Sequence, residues 1–417
     1  MTETDTPKVI PAGSPTPLAT MLEQVAPSQA THPGATKSVR ANSEQLAPPL
    51  VAYRGVLTPR ELDAPGRETA ALVSRAAVHD LGWLRRVAVR GEDRFRWLSG
   101  MVTNTVNDLG ANSGAWNLVL NAQGRIQGEL YVWREGEKLE LEIAADQYDR
   151  LLVHLERFII MDDVELASLN EDSALGLAGP LAAGVLARLG LPAPFEPLTS
   201  VCASWNGPDG NGSTVRIVHG YGALAPHYEI WGSAAEIPAL WQALLEAGAI
   251  PVGAATLEAS RIAEGIPAYG IDIAERDLPQ EVVPQVAYFP GAIKSVRANS
   301  EQSAPPQVAL SFNKGCYLGQ EIVERIRSRG SVHRHLRHLE LSGPVPAAGA
   351  ELRLDDGAVA GEITSAAELP LRKGLRVFAL GMIRGEAEIH NQPLSYTAGT
   401  ATGAARILAA PPVLEAN

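Results

Sequence analysis

From about Glu68 onward, apolar residues recur with spacings regular enough to name elements. "ETAALVSRAAVHDLG" has helical spacing, and "WLRRVAVRG" reads as a strand. "GEDRFRWLSGMVTN" brings Phe95, Leu98 and Met101 onto one helical face. "AWNLVLNAQGRIQGELYVWREGEKLELEIAA" then alternates, and breaks at "NAQG" and "REGEK" divide it into three antiparallel strands. "DQYDRLLVHLERFI" predicts a helix with Asp146 at its N-cap, and "DDVELASL" a fourth strand. Helices and a meander sheet on one core predict an α+β domain. After a Gly/Pro-rich stretch around 178–197 the pattern partly recurs: strands at "STVRIVHG" and "HYEIWG", then helices at "SAAEIPALWQALLEAGA" and "AATLEASRIAEG". This suggests a second half of related architecture. From about Ser331 to residue 412, short strands between Gly/Pro turns predict a small β-barrel or sandwich.

Residues 1–67 show no sustained period and are rich in Pro, Ser, Thr, Ala and Gly, which predicts a disordered tail. Within it "TKSVRANSEQLAPPLVA" (Thr36 to Ala52) is nearly repeated as "IKSVRANSEQSAPPQVA" (Ile293 to Ala309). Two distant copies do not make a solenoid. Both are polar and Pro-containing, and we read them as mobile segments, the second a flexible insertion at about 283–310.

Composition narrows the classes. With 46% apolar and 20% charged residues among 417, the chain is ordinary for a globular protein of two or three domains. No apolar run reaches the roughly 18 residues a bilayer span needs, and the first residues lack the pattern of a secretory signal. Two cysteines, Cys202 and Cys316, fit a reducing cytoplasm rather than a disulfide scaffold. The net charge of −12 disfavours direct nucleic-acid binding. One basic stretch, "RIRSRGSVHRHLRH", carries five arginines and three histidines without an acid. It is either a solvated turn or a place for an anionic small molecule.

Cys316 sits in "NKGCYLGQE", just before the helical spacing of "GQEIVERIRSRG". A helix N-terminus and Lys314 nearby both favour thiolate over thiol, and Gly315 and Gly319 permit close backbone approach to a ligand. The competing reading is a small cysteine buried in a tight turn. Cys202, in "VCASWNG", has no His or Cys at metal-ligand spacing and reads as a core residue. Of His333, His335 and His338, two fall on one strand face, but a surface role is expected for all three. No phosphate loop, "HExxH", dinucleotide fingerprint or nucleophile elbow occurs, and no metal site is expected.

"KGCYLGQE", with Arg325 following, closely resembles the signature of the YgfZ-type folate-binding proteins, relatives of the glycine-cleavage T-protein (aminomethyltransferase). "VRGEDRFRWLSGMVTNTVNDL", "LNAQGRIQGELYVW", "SRIAEGIPAYGIDIAERDLPQE" and "ALGMIRGEAE" extend the resemblance over about residues 80 to 410. It implies two ferredoxin-like α+β halves (68–330) and a C-terminal β-barrel (331–412) around a central channel that binds tetrahydrofolate or a one-carbon derivative. It also implies support for iron–sulfur cluster assembly or repair through transient contact with client proteins. A link to tRNA modification would be indirect.

By the same resemblance Cys316 is the functional thiol, within a motif of Lys314, Gly315, Tyr317, Gly319, Gln320 and Glu321. Glu264 is placed on the pterin ring, where a carboxylate accepts paired hydrogen bonds. Glu129 stands where the T-protein has a catalytic aspartate, a departure that weakens the case for aminomethyl transfer. Arg261 or Arg325 is expected to meet the folate's glutamyl tail. The alternatives are a true aminomethyltransferase and a folate-responsive module without chemistry. The insertion before the cysteine motif is long, but doubling a loop costs only about 0.6 kcal/mol.

Overall fold

The computed structural model describes residues 13–25, 47–207, 210, 212–222, 224–282, 309–330, 332–389 and 393–415. Residues 36–46 and 293–308, which hold nearly all of the repeated segment, lie outside these. The expected tail needs correction where it is described. It contains helix α1 (Pro17–Val25) and a hairpin of β1 (Leu50–Tyr53) and β2 (Val56–Pro59). Leu18 and Ala19 of α1 are buried, Met21 and Leu22 pack on the same core, and the Thr16 hydroxyl donates to Asp80. A segment poor in apolar residues is ordered here by docking on a core that other elements supply.

Two successive units follow, each running strand, helix, three strands, helix, strand. Helix α2 (Pro65–Ser74) and β3 (Ala77–Asp80) precede them, so the helix expected through residue 82 ends early and "AVHD" is a buried strand. The first unit is β4 (Leu84–Arg90), α3 (Arg94–Met101), β5 (Ser113–Leu120), β6 (Ile126–Glu135), β7 (Lys138–Ala144), α4 (Tyr148–Glu156) and β8 (Glu165–Ser168). The second is β9 (Asp172–Ala178), α5 (Ala182–Arg188), β10 (Thr199–Asn206), β11 (Gly212–His219), β12 (His227–Ser233), α6 (Ile237–Glu246) and β13 (Ile250–Val252). They share one 11-stranded sheet, ordered β13-β3-β9-β12-β11-β10-β5-β6-β7-β4-β8. Read outward from the β10–β5 seam, the two units repeat the same strand order, except that β3 separates β13 from β9. The seam is thin: Gly114 N donates to Leu198 O and Ser200 N to Asn112 O, each at 2.8 Å.

Helices α7 (Ala254–Glu264), α8 (Pro279–Val282) and α9 (Gln320–Arg329) lead to a closed barrel. The barrel consists of β14 (Arg334–Ser342), β15 (Glu351–Arg353), β16 (Val359–Leu371), β17 (Gly374–Arg384), β18 (Leu394–Ala398) and β19 (Ala401–Ile407), with α10 (Gly385–Ile389) after β17. Leu339, Leu352, Ile363, Ala379 and Tyr396 fill it. Ala259, Ile262 and Ala263 of α7 pack on Leu369, Leu371 and Phe378, which fixes the barrel against the sheet units.

The two units also meet through a buried polar cluster. Trp133 Nε1 donates to Glu142 at 3.0 Å, and Trp231 Nε1 to Glu229 at 2.7 Å. Arg86 lies over the Trp231 ring at 4.1 Å and 3.6 Å from Glu142. Burial, then the charge of Glu229 hydrogen-bonded to it, pushes the Glu142 carboxyl well above its ordinary range, with Arg86 partly opposing. The folded state thus keeps a proton that the unfolded chain loses near pH 4.5. Stability from this group is full below that value and falls as pH rises toward the raised one, by up to about 1.4 kcal/mol per pH unit. Glu142→Gln is expected to flatten this decline, measured as the pH dependence of denaturant midpoints.

Candidate functional site

The cysteine motif is held by its neighbours rather than by its own sequence. Gly319 is the N-cap of α9 at φ 82°. A Cβ there would lie 2.6 Å from Asn121 O and 3.0 Å from the Gly124 Cα, so two glycines let α9 dock on the β5–β6 hairpin. Its close approach serves chain packing. Gly315 has open space around it. Leu318 N donates to Gly100 O at 2.9 Å, which ties the loop to α3. Cys316 is exposed, next to the buried Tyr317, and does not sit in apolar packing. Gln320 is half-buried and Glu321 lies exposed in the first turn of α9.

Lys314 is turned onto α3. Its ammonium donates to Ser99 O, Val102 O and Asn104 O at 2.8, 2.6 and 2.7 Å, at the C-terminal end of α3. Ser99 O belongs to the last turn of α3, where the negative end of the helix dipole favours a cation, and Val102 O and Asn104 O follow the helix. Burial lowers the ammonium to about 8, so it stays mostly protonated at neutral pH. The charge therefore anchors the loop. Lys314→Met orphans three acceptors and is expected to lower stability by about 3 kcal/mol. Chemical denaturation checks this, and a thiol probe should find Cys316 labelled at an altered rate.

Glu129, on β6, forms the centre of a second cluster. It accepts from Tyr269 N at 2.8 Å and Trp116 Nε1 at 3.1 Å. Arg54, at the tip of the β1–β2 hairpin, lies 3.8 Å from Glu129 and 3.3 Å from Asp146. Burial pushes the Glu129 carboxyl above its ordinary range, and Arg54 is the largest opposing influence. Asp146 is thus drawn to Arg54 instead of capping α4, whose N-cap is Gln147; the Gln147 side chain does not cap the helix but accepts from Glu129 N at 3.0 Å. Trp116, Tyr269 and Tyr317 share one apolar cluster, which joins the cysteine motif to Glu129.

Arg261 is committed elsewhere. It pairs with Glu258 and, at 2.7 Å, with Asp272, whose other oxygen accepts from Thr364 and Ser365 of the barrel. Tyr53 Oη donates to Glu258 at 3.2 Å, so the hairpin touches this network as well. Glu264, half-buried, accepts from Leu224 N at 3.4 Å and Ser260 Oγ at 3.3 Å. Arg325 is exposed and, among the described residues, forms no ion pair; with Arg125, Asn121, Gln123 and Ile322 it lines an open cleft of about 680 Å³. A cleft of about 440 Å³ lies along α4 at Arg150, His154 and Arg157. Neither is lined by Cys316, Glu129 or Glu264.

Three of the five arginines of the basic stretch are paired with carboxylates. Arg334 pairs with Asp277 and Glu281, Arg337 and His335 with Glu388, and Arg327 with Glu324. His333 is exposed, whereas His338 is sequestered against Phe378 with its imidazole lowered to about 4 by burial. Among the described residues no group of three or more His, Cys, Asp or Glu is placed to hold a metal ion, and no helix is long and apolar enough to cross a membrane. Cys202 is not a core residue: it is exposed on β10, and its thiol donates to Glu135 at 3.1 Å. Partial burial and that carboxylate raise the Cys202 thiol. Sequence reasoning missed Arg54, although "AYRGVLT" carries a two-residue turn between alternating runs.

A family model described as the GCVT N-terminal domain matches residues 52–286. An aminomethyltransferase of Rubrobacter xylanophilus is 28% identical over 303 residues, 70% of this chain and 73% of that protein. One from Thermus thermophilus is 24% identical over 354 residues, 82% of this chain and 90% of its own. The structure of glycine cleavage system aminomethyltransferase T from Bartonella henselae aligns over 88% of this chain and 95% of its own, with a TM-score of 0.73 at 19% identity. That likeness supports the expected α+β fold with its C-terminal barrel.

Proposed function

Since the chain belongs to the GCVT N-terminal domain family, we propose that it binds a tetrahydrofolate compound and supports iron–sulfur cluster assembly or repair through Cys316. The observation that carries this reading is an exposed thiol one residue before the anchored, buried Tyr317, in a motif fixed by Lys314 and Gly319. The repeated unit order fits two ferredoxin-like halves flanking a folate channel. The client proteins would be cluster-dependent enzymes of the cytoplasm, including some that modify tRNA.

The residues present suit such a ligand. Glu264 offers a carboxylate to pterin N–H donors, and the buried Tyr317 hydroxyl has no hydrogen-bond partner among the described residues. For the glutamyl tail, the spent guanidinium of Arg261 favours Arg325, beside Arg125 in the open cleft. Calorimetric titration tests this. Tetrahydrofolate should bind, Glu264→Ala should weaken it, and Arg325→Ala should remove the advantage of an oligoglutamyl form. No binding by the intact protein would refute the reading.

Aminomethyl transfer is the second reading, favoured by the names of the relatives. Against it, Glu129 replaces the aspartate of the glycine-cleavage proteins and is engaged by Arg54, Tyr269 and Trp116. Robust methylene-tetrahydrofolate formation from an aminomethyl-lipoyl carrier protein would reverse this ranking.

A further inference from the structure

The turn joining β1 to β2 consists of Arg54 and Gly55, with φ of 50° and 92°. A two-residue hairpin turn with both φ positive ordinarily takes Asn, Asp or Gly at its first position. Arginine is a poor choice there, since a bulky side chain in the left-handed region costs about 1–2 kcal/mol. Gly55 has no substitute: a Cβ would come within 2.6 Å of Asp146 N, and Asp146 N donates to Arg54 O at 3.1 Å. The turn is thus pressed backbone to backbone against the start of α4, and an unfavourable residue is kept at its tip.

That residue is not on the surface. The Arg54 side chain is 7% exposed, and its guanidinium lies 5.6 Å from the centre of the Trp83 ring. Nη1 donates to Tyr269 O at 3.4 Å and Nη2 faces Glu129. Nε lies near Asp146 Oδ2 yet is out of line for a hydrogen bond, leaving a buried donor without a partner among the described residues. The charged groups around the pair are Asp146, just before α4, Arg150 of α4, and Glu258 and Arg261 of α7. Arg261 is already bound to Glu258 and Asp272, and Arg150 lies over the outer Tyr269 ring. Arg54 is the cation in contact with Glu129.

We propose that Arg54 is a positioning residue that holds the buried Glu129 carboxylate in place between Tyr269 N and Trp116 Nε1; that this carboxylate meets the N–H donors of a ligand rests on the function proposed above. The strained backbone is then explained by the guanidinium it delivers. The charge on Glu129 does not rest on the folate reading. Two variants suit the turn while removing the cation: Arg54→Asn and, should that one not fold, Arg54→Gly. Arg54→Lys keeps the charge.

Infrared titration of the intact protein, with Glu129→Gln subtracted, follows the Glu129 carboxyl directly. Loss of Arg54 should move that titration upward by about one pH unit or more. Tetrahydrofolate affinity at pH 7 should fall about tenfold, and the melting temperature should fall by less than in Glu129→Ala, because relief of the turn offsets part of the lost ion pair. Arg54→Lys should restore both in part. An unmoved Glu129 titration overturns the proposal, as does unchanged affinity in a protein whose parent binds tetrahydrofolate. If the parent does not bind it but the titration moves, the folate reading falls and the role of Arg54 stands.

Discussion

Gly319→Ala is expected to lower stability by about 2–5 kcal/mol and to displace the loop that carries Cys316. Two independent penalties combine. The residue has φ 82°, where an L side chain is strained, and the new Cβ would press on Asn121 O and Gly124 Cα, both backbone atoms that cannot rotate away. Gly315→Ala is the control, because its Cβ meets open space and should change stability by no more than about 0.5 kcal/mol. Denaturant unfolding of the two variants separates these outcomes. Equal losses would mean that the α9–hairpin contact does not hold the motif.

Glu129→Ala should cost about 3–5 kcal/mol, the range for removing one partner of a buried ion pair. Arg54 would keep only Asp146, while Tyr269 N and Trp116 Nε1 would lose their acceptor. Glu129→Gln preserves shape and one acceptor oxygen, so it should unfold later than the alanine variant yet still weaken ligand binding. A Glu129→Ala protein as stable as its parent would show that the cluster is loosely hydrated and would remove the basis for a positioned carboxylate.

The parts legible in the sequence were those with a strong local period. The β5–β6–β7 meander alternates cleanly because each strand is bounded by polar turns, and α6 and α7 carry apolar stripes closed by glycine. Strand β3 was absorbed into a helix because its four residues are all buried, which abolishes alternation. The continuous apolar run of β9 escaped for a similar reason, and α5 lay within a Gly/Pro-rich stretch. At the site, the cysteine motif announced itself through composition and resemblance. The partners of Lys314 could not be read, since Ser99, Val102 and Asn104 lie more than 200 residues earlier in the chain. Arg54 was hidden by the same low complexity that made the N-terminal residues resemble a tail.

On the function proposed above, the exposed Cys316 sulfur supports cluster enzymes in a protein that binds tetrahydrofolate. That role is tested most directly by the activity of iron–sulfur enzymes in cells lacking this protein, rescued with the parent or with Cys316→Ala. The parent should restore activity and the alanine variant should not, although it folds and retains tetrahydrofolate. Full rescue by Cys316→Ala would contradict the account.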